Sequence, residues 1–212
     1  MKSIFSLDNK IVKCCAFFYD LIFLNIVFVL SCLPLITIGV AKVSLYKTLW
    51  VLRKERSIPL LKTYIYYFLK FFKQGTILWL VEAMISCFCL LDLFLLREQT
   101  TLPFQIFKVF IYAMLILVML TFLYAYPIIS KLQMKMIKVM KLSFLFASLN
   151  FYWSFLFLIV ILLILVIMYS SLFGFLLSLS IFGIFGFTLF TYVYQTIIEY
   201  IFERYYVNRL LF

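Results

Sequence analysis

The sequence predicts an all-α integral membrane protein with about five transmembrane helices and basic amphipathic interfacial helices on the cytoplasmic side. Three observations carry this. Of 212 residues, 67% are hydrophobic, with a mean hydropathy of +1.19. The apolar residues collect in runs near the roughly 20 residues that a bilayer-crossing helix needs. The formal charge of +11 collects between those runs.

The first predicted span is 18–38. Three lysines and Asp8 precede it, and no small-residue cleavage site follows, so it reads as a retained span rather than a signal peptide. The others are 76–96, 104–129, 152–173 and 177–201. All belong to one polytopic membrane domain, 1–212. Interfacial helices are predicted near 42–56, 60–74 and 131–148. In the second, Ser57 and Pro59 read as a cap and first turn. Lys62, Lys70 and Lys73 form its polar stripe, and Leu61, Ile65, Phe68, Leu69 and Phe72 its apolar face. In the third, Lys131, Lys135 and Lys138 form a stripe.

Basic residues flanking spans mark the cytoplasmic side. Fourteen of the nineteen Lys and Arg fall on one side of this layout. Five spans then put the C-terminus in the cytoplasm and the N-terminus outside. A first segment that spans only partly would bring the N-terminus inside. Basic helix, span, turn and span occur twice, over 60–129 and 131–201, as in a parallel repeat.

Chemistry is sparse. The chain has no histidine, the commonest general base and metal ligand, and eight carboxylates. Cys14, Cys15, Cys32, Cys87 and Cys89 lack metal spacing and read as apolar fillers. No phosphate loop, nucleophile elbow or zinc motif occurs. No enzyme activity, cofactor or metal is expected. Lysines beside spans answer to lipid, so no nucleic acid is expected either.

Polar residues inside spans are costly and therefore informative. The candidates are Asp20, Asn25, Glu82, Asp92 and Lys108. Glu82 lies nearest a span centre and needs protein, water, a cation or a proton. Asp92 and Lys108 flank one turn at equal depth, which predicts an ion pair. A transporter would string Asn25, Glu82 and Ser86 along one polar path. Asn25 also suits helix packing, and Gly183 and Gly186 suit close approach of another helix.

Several short stretches resemble one family. They are Leu7-Asp8-Asn9, Asp20-Leu21-Ile22-Phe23-Leu24-Asn25, Leu33-Pro34-Leu35-Ile36-Thr37-Ile38-Gly39 and Leu45-Tyr46. Phe71-Phe72-Lys73-Gln74-Gly75-Thr76-Ile77-Leu78-Trp79, Leu91-Asp92-Leu93, Tyr126-Pro127 and Gly186-Phe187-Thr188-Leu189 continue the likeness. The chain thus resembles the YesL-like bacterial membrane proteins. Val40 and Val43 depart from that pattern, where small residues are more usual. The resemblance implies a multi-pass protein of the bacterial plasma membrane with no catalytic residues. It also implies association with a carbohydrate ABC importer, binding its permease or ATPase subunits. The alternatives from the residues are a small stand-alone transporter or channel, and a lipid-binding scaffold.

Overall fold

The computed structural model describes residues 10–55, 58–99, 101–132 and 134–207. Helix accounts for nearly all of them, and none is in a strand. The order is α1 (Lys10–Ser31), a 3-10 turn (Leu35–Thr37), α2 (Ile38–Lys54), α3 (Leu60–Lys70), α4 (Phe72–Leu95) and α5 (Leu102–Lys131). Then come α6 (Met136–Leu149), α7 (Phe151–Ser170), α8 (Leu172–Ile181), a π segment (Phe182–Gly186) and α9 (Phe187–Val207).

By length and composition, six of the described helical stretches could cross a bilayer. The addition to the predicted five is Leu35–Lys54. It takes up most of the expected interfacial helix at 42–56. It also differs from the others: 50% of its window is buried inside the protein, against 11% for Phe72–Leu95. Its Arg53 is held by partners. Arg53 Nη1 donates to Glu199 Oε2 at 2.6 Å, and Nη2 donates to the Tyr192 carbonyl at 3.1 Å and to Thr196 Oγ1 at 2.8 Å.

The expected helix at 60–74 divides at Phe71, which closes α3 and opens α4. Ser57, its expected cap, lies outside the described residues. Tyr64 is the buried side chain of α3, and its hydroxyl is 2.6 Å from Ser31 Oγ. Leu61, Ile65, Leu69 and Phe72 stay outward, Leu69 at 69% exposure. Most of the apolar face predicted for α3 thus points away from the protein, while Phe68 joins Tyr64 in an aromatic contact with the core. The third basic stripe is broken. Lys131 ends α5, Lys135 caps α6, and Lys138 lies within α6.

Helices α1 and α9 run antiparallel. Phe17 packs on Tyr192, Leu21 accepts from Thr188, and Asn25 meets Phe182 and Gly183. The start of α1 therefore lies at the end of the molecule where α9 finishes. The tight turn after Ser31 sends α2 back along α1.

Two clusters form the core. One gathers Val43, Tyr46, Phe122, Tyr124, Phe157 and Tyr194; the other gathers Leu21, Leu24, Leu45, Leu49 and Tyr64. Tyr194 is fully buried, with the Phe157 ring edge-on at 4.5 Å. Its hydroxyl donates to the Leu123 carbonyl at 3.1 Å. Pro127 has no N–H, so that carbonyl lacks its usual helical donor. Tyr194 supplies one, as hydrocarbon surroundings require.

The close helix crossing is at Gly39 and Gly75, between α2 and α4. A Cβ on Gly75 would lie 2.7 Å from Val40 Cα, and one on Gly39 would overlap the Gly75 carbonyl and Trp79 Cβ. Val40 and Val43 do not prevent this contact; both are fully buried. Gly183 and Gly186 have no such role. A Cβ on Gly183 would meet nothing within 4 Å, and the neighbours of one on Gly186 belong to its own helical turn.

Candidate functional site

The polar centre of the molecule forms where α2, α4 and α5 meet. Glu82 comes from α4, Lys42 from α2 and Tyr126 from α5. The Tyr126 hydroxyl donates to Glu82 Oε2. Lys42 Nζ lies 3.8 Å from that same oxygen and 4.6 Å from the centre of the Tyr126 ring. One carboxylate therefore receives a phenol donor and a cation, while the ring face offers that cation its negative quadrupole. The side chains of Lys42 and Glu82 are 36% and 25% exposed. The close crossing at Gly39 and Gly75 brings α2 near enough for this contact.

These three residues stand at one end of a cavity of about 470 Å³. Its walls are otherwise mostly apolar, with Phe28 and Val29 from α1, Phe122 from α5, Ile161 from α7 and Phe190 from α9. A second apolar cavity of about 440 Å³ shares Val29, Ile161, Phe187 and Phe190 with the first. Helix α7 meets the body mainly through Ser154 and Phe157, so its later turns stand away and leave this space.

The other candidates are dispersed. Asn25 is fully buried and does not line the cavity. Its Nδ2 donates to the Phe182 and Gly183 carbonyls at 3.0 and 2.8 Å. Its Oδ1 accepts from the Thr188 N–H at 3.1 Å. The Thr188 hydroxyl has one proton, and its nearest acceptor is the Leu21 carbonyl at 3.0 Å, so Asn25 uses both amide donors and one acceptor site. A π turn shifts the backbone ladder and frees polar groups; Asn25 covers those of this one. It is a clamp between α1 and α9.

Asp92 and Lys108 do not pair. Lys108 Nζ donates to the carbonyls of Gln99 and Arg97 at 2.9 and 3.4 Å. These carbonyls lie in the turn after α4, where no helical N–H reaches them. A long lysine reaching outward meets them before it meets a carboxylate deeper in the hairpin. Asp92 and Asp20 are half-buried and make no ion pair among the described residues. Lys62, Lys70, Lys73, Lys135 and Lys138 are exposed. No three of His, Cys, Asp and Glu gather among the described residues.

Sequence reasoning singled out Glu82 but not its partners. Tyr126 stood in the Tyr126-Pro127 pair of the resemblance, and Lys42 at the start of the interfacial helix predicted at 42–56. The available signal was the carboxylate itself, since a buried Glu demands a donor or a cation. Which residues supply them depends on the crossing of α2 over α4, which leaves no periodic trace.

A family model described as "Protein of unknown function, DUF624" matches residues 21–93. The match runs from Leu21 on α1 to Leu93 on α4 and contains Lys42 and Glu82; Tyr126 and the later helices lie beyond it. No curated protein and no solved structure matches the chain.

Proposed function

We propose that this chain is a non-catalytic accessory protein of the bacterial plasma membrane that binds the permease subunits of a carbohydrate ABC importer. The single observation supporting an outward-facing role is that the two polar residues singled out inside spans, Asn25 and Glu82, are held by partners within the protein. Asn25 bonds the π segment and the Thr188 N–H, and Glu82 is held by Lys42 and Tyr126. Asn25 does not line the cavity that Glu82 borders. The outward apolar faces of α4, α5 and α7 remain for other helices. The importer itself rests on the YesL-like resemblance, which the match over 21–93 supports.

In this proposal both chain ends are cytoplasmic. All Lys and Arg except Arg97 and Lys108 then lie on, or closer to, that side. Reporter fusions at each end test this; an external N-terminus overturns it.

Affinity purification from native membranes in mild detergent tests the function. Permease or ATPase subunits should co-purify. Recovery of the chain alone contradicts the proposal.

A second reading is favoured by one observation. The Lys42–Glu82–Tyr126 group opens onto a mainly apolar cavity, which suits a small amphiphilic molecule and a stand-alone transporter. Uptake by proteoliposomes of the purified chain would support it; uptake unchanged by Glu82→Gln would remove it.

A further inference from the structure

Two lysines share the indole of Trp50. Lys47 and Lys54 fall three residues before and four after it on α2, and both bring their ammonium groups to its indole. Lys47 Nζ is 4.2 Å from the ring centre and Lys54 Nζ 4.0 Å. The two ammonium groups are therefore no more than about 8 Å apart. Lys47 also lies 5.9 Å from the centre of the Tyr67 ring on α3. It is half-buried, and among the described residues neither it nor Lys54 has a carboxylate within ion-pair distance. Lys70 and Lys131 add their like charges to the field at Lys47. Lys131 rests on the Phe202 ring at 4.7 Å and feels Glu199 and Glu203, but Glu199 is already engaged by Arg53.

Two lysines of α2 thus share one ring, and Lys70 of α3 and Lys131 of α5 lie near enough to add to their field. Aromatic faces hold several of them in place, which fixes where the positive field points. A phosphate accepting from two ammonium groups at about 2.8 Å each bridges nitrogens at this kind of separation. The surroundings indicate where that phosphate comes from. Leu61, Ile65 and Leu69 on α3 face outward beside the cluster, and Trp50 is the amphipathic type of residue that settles at headgroup depth.

We propose that Lys47, Lys54, Lys70 and Lys131 form a binding site for the phosphate headgroup of an anionic phospholipid, with its acyl chain against the outward face of α3. This goes beyond the accessory function and does not depend on it.

The full chain, purified and placed in nanodiscs of phosphatidylcholine with a minority of phosphatidylglycerol, tests the site. Lipid that stays bound after extraction into mild detergent is counted by native mass spectrometry. Phosphatidylglycerol should be retained in preference to phosphatidylcholine. Lys47→Gln with Lys54→Gln should weaken that retention by roughly fivefold per lysine removed. Lys62→Gln with Lys73→Gln removes the same charge from exposed positions and should leave it unchanged. Lys47→Arg with Lys54→Arg should preserve it, which separates lost charge from lost fold. Equal loss from both glutamine pairs, or none from the first, overturns the site. Displacement of the lipid by inorganic phosphate overturns the lipid as its occupant.

Discussion

The Tyr194 hydroxyl donates to the Leu123 carbonyl at 3.1 Å, and that carbonyl is the one Pro127 leaves without a helical donor. Two helices distant in sequence are joined by a repair. Tyr194→Phe should cost about 1 kcal/mol, the scale of one interhelical hydrogen bond in a membrane protein. Pro127→Ala restores the N–H, so the same Tyr194 change made on that background should cost less. Unfolding in mixed detergent micelles measures both. Equal cost on the two backgrounds contradicts the repair.

The crossing of α2 over α4 should tolerate no side chain at Gly75. A Cβ there meets the backbone of Val40, which cannot swing aside, so Gly75→Ala should destabilise by about 1–3 kcal/mol. Gly183→Ala has open space and should change stability by less than about 0.5 kcal/mol. The same unfolding assay compares them.

Asn25 should behave as a clamp. Asn25→Leu removes three hydrogen bonds and strands the polar groups of the π segment, at a cost of about 2 kcal/mol. Asn25→Asp keeps the acceptors but loses both donors, so it should also fall short of wild type. Thermal melting in detergent ranks them. A fully stable Asn25→Leu variant contradicts the clamp.

Lys42 and Glu82 should show coupling. Lys42→Met leaves a carboxylate with the Tyr126 hydroxyl alone, whereas Lys42→Met with Glu82→Gln leaves no bare charge. The double variant should be the more stable of the two. The coupling should be about 1 kcal/mol, modest because both side chains are partly exposed. A double-mutant cycle reads it directly.

Much of this was legible in the chain. Long apolar runs produced α4, α5 and α7 within a few residues, because length and hydropathy alone decide a span. The lysine spacing placed an amphipathic helix at α3, though the break at Phe71 went unseen. What stayed hidden depends on contacts between distant segments. The partners of Glu82 required the Gly39–Gly75 crossing. The role of Asn25 required the π segment at Phe182–Gly186, which the glycines hinted at but did not specify. The predicted Asp92–Lys108 pair was sound by register but ignored the open carbonyls in the turn after α4, which are the nearer acceptors. The side on which α1 begins also waited on the structure, because Phe17 meeting Tyr192 is a tertiary fact.

The central claim is that the outer apolar faces, and not the interior, meet a partner. Phe88 on α4 is 67% exposed, and Tyr194 is wholly enclosed. A photo-crosslinking side chain placed at Phe88, irradiated in native membranes, should yield adducts with the permease subunits of an importer. The same group at Met84, also outward, should yield them too, and a group at Leu24, inside the core, should not. Adducts with lipid alone at Phe88 and Met84 would contradict the claim.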